Sequence, residues 1–486
     1  MEAGQMGVLS GLKPEKVFSY FEELCRIPHG SGHEEAISNY LVDFAKKHGF
    51  EYYQDEAKNV IIIKAASAGY EDVEPYIIQG HMDMVAVKEK DCDIDLLKDP
   101  LRLRVEGDTV YAEGTSLGGD DGIAVAYALA ILSDDSICHP RLEVVITTDE
   151  EVGMCGATAI NLSMLKGRRL LNIDSEEEGV LTVGCAGGLR VHSTLPVDRI
   201  DREGTVFEVR LHGLQGGHSG AEIHKQRGNS NCLMGRLLYG LLDVADYGIL
   251  TLEGGTKDNA IALETVAELV IDETDEKAVL TYLNAYEDVL KKELEKRDPG
   301  VTVTVKKEGT GMYRCLDVLS VRRTAGLLMV TPNGVQEMSA DIPGLVETSL
   351  NLGILRLDED TLEIDQSIRS SVASAKEMLK EKVTAVTKMA GGTVSYHGDY
   401  PAWEYRSKSE LRERMIEIYE KRYGQKPKVE VIHAGLECGL LSAKLPGLDC
   451  VSFGPDLTDI HTVHEKLHIA SAARTYEYLL EILAQK

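Results

Sequence analysis

A histidine and an aspartate are separated by one residue in GHMDMV, residues 80–85, which lies at the end of the apolar run at residues 76–78. In an extended chain, residues two apart point to the same face, so His81 and Asp83 can point the same way. Such a pair suits a metal ligand and the carboxylate that orients it. A histidine at a strand end is also often no more than a hydrogen-bonding partner, so the rest of the chain must decide between the two interpretations.

Four more clusters of acidic and histidine residues follow along the chain. They are GGDDG at 118–122, TTDEEVG at 147–153, NIDS at 172–175 and IHTVHE at 460–465. Some have simpler explanations, because Asp121 could be a helix N-cap and three consecutive carboxylates are usually a solvated charge run. However, the acids at 149–151 and Asp174 follow apolar strands, and open α/β sheets place ligands at the carboxyl ends of their strands.

The combined clusters contain the oxygen and nitrogen ligands of a two-metal hydrolytic centre. They supply two histidines, a glycine-flanked aspartate, another aspartate and a glutamate pair. A centre of this kind needs a carboxylate that bridges the ions, one acid and one imidazole for each ion, and one unliganded carboxylate as general base. The sequence has one residue for each of these tasks.

The segments that must position these residues alternate between strand and helix patterns. Helical patterns cover residues 15–24 and 33–47, and residues 122–132, GIAVAYALAIL, form a small-residue helix that should be buried nearly all round. Short apolar runs without polar alternation lie between the helices, at residues 60–63, 76–78, 142–146 and 170–173. This order predicts an α/β fold with a mixed, mostly parallel sheet and helices on both faces.

The character of the sequence changes twice. Long helical patterns at 276–296 and 370–389, with more openly alternating strands, distinguish residues 188–392 from the rest. After residue 392 the sequence returns to the alternation of helices and short apolar strands that precedes residue 188. We therefore predict a discontinuous α/β domain made of residues 1–187 and 393–486, with an inserted α+β domain at 188–392.

Composition excludes several classes of function. The 486 residues are 43% hydrophobic and 27% charged, and no apolar run approaches the roughly 20 residues of a membrane span. The formal charge of −28 opposes binding to nucleic acid and to anionic membranes. The nine cysteines include no CxxC pair, and the N-terminus lacks the pattern of a signal peptide. We predict a cytoplasmic protein that binds neither nucleic acid nor membranes.

Six segments resemble the motifs of the di-zinc aminoacylase and carboxypeptidase superfamily: HMDMV, GGDDGIAVA, TTDEEVGMCGA, NIDSEEEG, VGCAGG and HTVHEKLHI. Within that superfamily the sequence is most similar to the aminoacyl-histidine dipeptidases, also called peptidase D or cytosol non-specific dipeptidases. The similarity covers essentially the whole chain. It implies two Zn²⁺ ions per chain, for which Mn²⁺ or Co²⁺ could substitute, and small peptides as substrates.

The resemblance also implies which residues bind the metals. One zinc ion has His81 and Asp174 as its terminal ligands, and the other has Glu151 and His461. Asp120 bridges the two ions.

Two of these ligand assignments have an alternative nearby. Asp120 is preferred to Asp121 because it aligns with the first acid after the glycines of the family motif. His461 is preferred to His464 because the family places a histidine four residues before a glutamate, here Glu465. The family more often has an aspartate or asparagine where this chain has His464, so His464 stays open as a substitute ligand.

The catalytic roles follow from the same resemblance. Glu150 is the general base that takes a proton from the bridging water, and Asp83 orients His81. His218, in the glycine-rich segment 213–220, polarises the scissile carbonyl and stabilises the oxyanion. A plain turn is the simpler explanation for such a glycine-rich segment.

Three further residues are expected to bind the substrate. Asn259 and Arg369 match positions that hold the substrate's backbone and its C-terminal carboxylate, for which the arginine fork is well suited. Arg369 could also be a plain surface charge. Glu437 is assigned, less directly, to the substrate's ammonium group. We expect the inserted domain to close over the metals as a lid, and a homodimer through this domain is left open.

The sequence therefore predicts a metallopeptidase that hydrolyses unblocked dipeptides, Xaa-His among them. A related N-acyl-amino-acid deacylase or tripeptidase is the alternative within the enzyme class. A metal-binding relative that serves as a scaffold without hydrolysis is the alternative outside it. Glu150 argues against the scaffold, because a protein without hydrolytic activity has no need of an unliganded base.

Overall fold

The structure is a computed structural model that describes residues 7–486. The helices are α1 (Glu15–Leu24), α2 (Glu35–His48), α3 (Gly119–Leu132), α4 (Cys155–Ala159), α5 (Ser230–Leu241), α6 (Glu276–Glu293), α7 (Val318–Val330), α8 (Ala373–Met389), α9 (Glu410–Tyr423), α10 (Glu437–Lys444) and α11 (Ile469–Leu483), with a 3-10 turn at Ile223–Lys225. The strands are β1 (Glu51–Gln54), β2 (Val60–Lys64), β3 (Tyr76–His81), β4 (Leu103–Glu106), β5 (Thr109–Ala112), β6 (Leu142–Thr147), β7 (Arg169–Asn172), β8 (Val180–Cys185), β9 (Gly187–Pro196), β10 (Arg199–His212), β11 (Gly217–His218), β12 (Tyr247–Gly254), β13 (Ala260–Ile261), β14 (Thr265–Ile271), β15 (Thr302–Leu316), β16 (Gly334–Met338), β17 (Val346–Leu357), β18 (Thr361–Ser370), β19 (Thr393–Tyr400), β20 (Lys428–Ile432), β21 (Asp449–Ser452), β22 (Leu457–Thr458) and β23 (Lys466–His468).

Two compact units divide the chain. The first contains residues up to Gly184 together with Tyr405–Val431 and Leu436–Lys486, and the second contains Cys185–Glu404 and Ile432–Gly435. The boundaries expected from the sequence, 187/188 and 392/393, differ from these limits. Residues 393–404 belong to the second unit because β19 pairs with β9.

The first unit is built on an eight-stranded mixed sheet with the order β1-β2-β6-β3-β7-β21-β8-β20. Strands β6, β3, β7 and β21 are parallel neighbours at its centre, whereas β1, β2 and β6 pair antiparallel on one side and β21 pairs antiparallel with β8 on the other. Helices α2, α3, α9 and α10 pack on its strands. The predicted α/β fold is confirmed, with these parallel pairs in the central four strands. A smaller four-stranded sheet has the order β22-β23-β5-β4.

The apolar composition of the central strands explains their position. Every residue of β2, β3 and β6 is buried, as expected for strands covered on both faces. In the parallel register His81 is opposite Thr147, and Gln79 is opposite Asn172. The carboxyl ends of β3, β6 and β7 therefore meet at one edge, which brings together the segments that follow them.

Helix α3 begins at the same edge. Its first acids, Asp120 and Asp121, have non-helical backbone angles, so the regular helix starts at Gly122, where the sequence predicted it. All residues of α3 are buried. Its small side chains allow close packing against α1, since the ring of Phe21 would lie 3.3 Å from a Cβ added at Gly122.

The second unit is an α+β structure on a nine-stranded sheet with antiparallel pairing. Its main path is β15-β10-β14-β12-β17-β18-β9-β19, and β16 pairs with β17. A large apolar cluster lies between this sheet and helices α5, α6 and α7, while α8 packs on β9 and β18. Helix α8 begins at Ala373, three residues later than predicted, because Arg369 and Ser370 pair with β9 as the end of β18.

Among residues 7–486, no helix combines the length and the apolar composition needed to cross a membrane.

Gly454, two residues after the end of β21, allows a close backbone contact beside Asp174. A Cβ at this position would overlap the carbonyl oxygen of Ser175. We expect Gly454→Ala to lower the free energy of unfolding by about 1–3 kcal/mol, the usual cost of forcing extra volume into a packed site. The midpoint of urea-induced unfolding measures this effect.

Gly326 gives the matched control. It lies inside α7, and a Cβ added there would have no neighbouring atom within 4 Å. Gly326→Ala should raise stability by about 0.5–1 kcal/mol, because alanine loses less backbone entropy in a helix. Equal effects of the two substitutions would contradict the close contact at Gly454.

Candidate metal centre

The carboxylate of Asp120 lies between two imidazoles. Its Oδ1 is 3.2 Å from Nε2 of His81, and its Oδ2 is 3.1 Å from Nε2 of His461. His81 ends β3, whereas His461 lies in the loop between β22 and β23. Because each imidazole faces a different oxygen of one carboxylate, Asp120 has the arrangement of a ligand that bridges two ions.

One more acid stands beside each histidine. Nε2 of His81 is 3.8 Å from Oδ1 of Asp174, and Nε2 of His461 is 2.9 Å from Oε1 of Glu151. Asp120, Glu151 and His461 have potential ligand atoms within 4.8 Å of one another. The structure thus brings the five predicted ligands together at one edge of the sheet.

The chemistry of this cluster fits a cation. Within residues 7–486, Oδ2 of Asp174 is buried and has no hydrogen-bond partner. Burying a carboxylate oxygen without a partner is costly unless a positive charge compensates it. Imidazole nitrogens and carboxylate oxygens are ligands that suit zinc, manganese and cobalt.

The electrostatics of the cluster show how strongly its charges depend on one another. Burial opposes a charge on His81, but hydrogen bonds to Asp120 and Asp174 raise its pKa well above the ordinary value. Contact with Asp120 and Glu151 raises the pKa of His461 to about 10. Because the neighbouring acids favour a proton on each imidazole, a metal ion must compete with protons for these two ring nitrogens.

Asp83 links the histidine to the glutamate pair. Its Oδ1 is 3.4 Å from Nδ1 of His81 and accepts a hydrogen bond from the backbone N–H of Glu150, while its Oδ2 accepts one from the hydroxyl of Ser31. Burial would raise the pKa of Asp83, but the contacts with His81, Glu150 and Ser31 hold it below the ordinary value. These contacts fit the predicted orienting role.

Glu150 lies near the cluster, and its carboxylate is in reach of His81 and Glu151. Burial raises its pKa well above the ordinary value; the positive charge of His81 opposes the shift, and the neighbouring acids Asp174 and Glu437 add to it. A carboxylate with a raised pKa holds a proton more readily, which suits a general base.

Asp121 contacts the centre differently from Asp120. It is 2% exposed, and its Oδ2 accepts a hydrogen bond from the backbone N–H of His81. Burial, with a smaller contribution from Asp174, raises its pKa well above the ordinary value. Its carboxylate can also form a group with His81 and Asp174, so this acid remains an alternative ligand.

Glu465 is a supporting residue whose contacts the sequence did not indicate. Its carboxylate accepts hydrogen bonds from four consecutive backbone N–H groups, residues 117–120, at 2.8 to 3.3 Å. It therefore fixes the loop that carries Asp120. His461, four residues earlier, has a φ of 61°, which is unfavourable for a residue other than glycine. The only sequence signal for Glu465 was its spacing from His461.

Of the two neighbouring histidines, His461 is the one that approaches the acids of the centre. The backbone N–H of His464 donates a hydrogen bond to the hydroxyl of Thr462, and the His464 side chain is exposed.

Glu437 was predicted to meet the substrate, but the structure buries its side chain completely. Its Oε2 accepts hydrogen bonds from Nε2 of Gln79 and from the hydroxyl of Thr147. Burial raises its pKa to about 8. The sequence contained no signal for these two partners.

The other predicted substrate residues lie in the second unit. Nδ1 of His218 accepts hydrogen bonds from the backbone N–H groups of Gly220 and Ala221, so Nε2 is the ring nitrogen left for another partner. The backbone oxygen of Asn259 accepts a hydrogen bond from the N–H of Ser219, next to His218. The structure thus places Asn259 beside His218.

Arg369 lies close enough to influence His218. Nη1 of Arg369 donates a hydrogen bond to the hydroxyl of Tyr400. Burial lowers the pKa of His218, and the positive charge of Arg369 lowers it further. A neutral His218 beside a cationic Arg369 is suited to contact a group with negative charge.

Comparison with known proteins identifies the family. A relative from Escherichia coli (strain K12), named cytosol non-specific dipeptidase, is 37% identical over 483 residues, which are 99% of each chain. The crystal structure of aminoacylhistidine dipeptidase from Vibrio alginolyticus superimposes with a TM-score of 0.93 and 37% identity, over 98% of each chain. Aminopeptidase PepT from Bacillus cereus, at 16% identity, a TM-score of 0.56 and coverage of 97% of this chain and 98% of its own, shows a likeness of fold alone. The model of peptidase family M20/M25/M40 matches residues 77–485, and with the full-length relatives this confirms the resemblance seen in the sequence: the chain belongs to peptidase family M20/M25/M40.

Proposed function

We propose that this protein is a metal-dependent dipeptidase that hydrolyses unblocked dipeptides, Xaa-His among them. The observation that carries the proposal is the carboxylate of Asp120, whose two oxygens face His81 and His461. The names of the two relatives that match the whole chain, a non-specific dipeptidase and an aminoacylhistidine dipeptidase, support the substrate class. The word cytosol in the first name supports a cytoplasmic location.

The proposed centre holds two Zn²⁺ ions, for which Mn²⁺ or Co²⁺ could substitute. His81 and Asp174 would bind one ion, Glu151 and His461 the other, and Asp120 both. When bound, such ions polarise the peptide carbonyl and lower the pKa of a bound water.

Glu150 is the proposed general base. Its carboxylate takes a proton from the attacking water and then donates that proton to the leaving amine, so one residue serves both steps. Burial and the neighbouring acids, which raise its pKa, favour the first transfer. Asp83 accepts a hydrogen bond from the N–H of Glu150 and lies beside Nδ1 of His81, so it would orient the base and one ligand together.

The residues of the second unit complete the proposal. We assign stabilisation of the oxyanion to His218, and contact with the substrate's backbone and carboxylate to Asn259 and Arg369. These roles, closure of the inserted domain and a homodimer through it stay predictions.

Glu150→Gln tests the base. The amide cannot accept the proton, so kcat should fall by about 10²–10⁴-fold, the usual contribution of general acid–base catalysis. Hydrolysis is measured on Xaa-His and β-Ala-His dipeptides, Gly-Gly-Gly and an N-acetyl amino acid, with metal-free protein re-supplied with zinc. Zinc affinity, measured in parallel by competition with a chromophoric chelator, should stay within a few-fold of the wild type.

The same panel separates the alternatives. Cleavage of the free dipeptides alone supports the dipeptidase, whereas cleavage of only the acetylated compound or only the tripeptide replaces it with a deacylase or a tripeptidase. Zinc binding by the wild type without any cleavage would make the protein a metal-binding scaffold. A Glu150→Gln variant with wild-type kcat would refute the assigned base.

His461→Ala and His464→Ala form a matched pair for the second metal. Loss of a residue that only hydrogen-bonds to a metal ligand lowers metal affinity by up to about 100-fold. Loss of a direct ligand in His461→Ala should therefore weaken binding of one zinc ion by more than that. His464→Ala should bind two ions as the wild type does, because Asp120 and Glu151 contact the imidazole of His461 and not that of His464. Calorimetric titration of the metal-free proteins gives the number of ions and their affinities; the reverse result would make His464 the ligand.

A further inference from the structure

A chain of buried hydrogen bonds runs beneath the candidate metal centre. Oε2 of Glu437 accepts from Nε2 of Gln79 at 2.5 Å and from Oγ1 of Thr147 at 2.6 Å. Oε1 of Gln79 in turn accepts from Nδ2 of Asn172 at 2.6 Å. The four side chains, here called the Glu437 network, are completely buried.

Three residues of the Glu437 network lie on the sheet, and each stands just before a segment that contains a predicted metal ligand. Gln79 is two residues before His81 on β3, and Asn172 ends β7 two residues before Asp174. Thr147 ends β6, directly opposite His81 in the parallel register and three residues before Glu150. The network therefore joins the three neighbouring strands whose ends carry the centre.

Glu437 belongs to a different element from the other three. It is the first residue of α10, which packs on β21. Its carboxylate binds β3 through Gln79 and β6 through Thr147, and the amide of Gln79 extends the link to β7. A single side chain from outside the three strands thus connects their carboxyl ends.

Burial makes a direct contact between Glu437 and the substrate unfavourable. The side chain is 0% exposed, and its two donors converge on one oxygen, Oε2. The other oxygen, Oε1, is buried and has no hydrogen-bond partner among residues 7–486. Burial raises the pKa of this carboxyl to about 8, so near neutral pH a proton can neutralise it. The two hydrogen bonds to Oε2 and a proton on the carboxyl lower the free-energy cost of burying this acid.

We propose that Glu437 is a positioning residue, which sets the relative placement of His81 and the Glu150–Glu151 turn through Gln79 and Thr147. This inference rests on the proposed metal centre. In this role Glu437 supports metal affinity and the rate of hydrolysis, and it does not bind the substrate's ammonium group. Partners outside the ligand set commonly change metal affinity or activity by 10–100-fold.

Glu437→Ala and Glu437→Gln separate these functions. The alanine variant removes both acceptor contacts and should lower zinc affinity and kcat by about 10–100-fold. The glutamine variant retains an acceptor oxygen for Gln79 and Thr147. Its zinc affinity should therefore be higher than that of Glu437→Ala and close to that of the wild type. KM for a dipeptide should change little in the glutamine variant. Chelator competition gives the affinity, and initial rates give kcat and KM.

Thr147→Val and Thr147→Ser test the same contact if Glu437→Ala does not fold. Valine has nearly the shape of threonine but no hydroxyl, so zinc affinity should fall. Serine keeps the hydroxyl that donates to Oε2 of Glu437, so Thr147→Ser should keep the zinc affinity that Thr147→Val loses. Where Glu437→Ala folds, combining it with Thr147→Val should lower zinc affinity by less than the product of the two separate losses, because both substitutions remove the same contact.

Three results would overturn the positioning role. Wild-type zinc affinity in both Glu437→Ala and Thr147→Val would leave the proposed metal centre intact and remove the network from it. A raised KM in Glu437→Gln with unchanged zinc affinity would assign the acid to the substrate's ammonium. Absence of zinc binding by the wild type would refute the metal centre itself, and the positioning role with it.

Discussion

Mutual repulsion among buried and half-buried carboxylates is the constraint on which the first unit depends. Asp120, Asp121, Glu150, Glu151 and Asp174 meet at one edge of the sheet. Burial, reinforced by neighbouring acids, raises the pKa of Asp121, Glu150 and Glu151. The fold can hold this group only by surrounding it with hydrogen-bond donors and positive charge.

The surrounding structure supplies such compensation in several forms. Imidazoles flank Asp120, backbone N–H groups face Asp83, and the parallel register keeps the ends of β3, β6 and β7 together. Glu465 adds one more buried acid, but four backbone N–H groups bind it. The centre therefore combines a few residues able to do chemistry with a larger number that hold them, and the second group determines the distances within the first.

Much of the fold and of the site could be predicted from the sequence. Apolar strands followed at once by acids marked the carboxyl edge, and the resemblance of the motifs to those of a known family implied the five ligands that the structure brings together, Asp120 among them. Local patterns could not indicate Gln79 and Thr147, because an isolated polar residue in a strand gives no sign of a partner as distant in the chain as Glu437. The paired glycines at 391–392 resembled a domain boundary, although β19 beyond them still pairs with β9. Register and long-range hydrogen bonds decide such features.

Strand β21 lies between β7 and β8 in the sheet, although residues 449–452 come long after both in the chain. A ribosome adds residues in order, so the emerging polypeptide completes the second unit's strands while the first unit's sheet still has a gap. His461 and Glu465 emerge later still. A nascent chain consequently carries the acids of the centre before it carries His461, so the cluster of two imidazoles around Asp120 forms only after residue 461 has been synthesised.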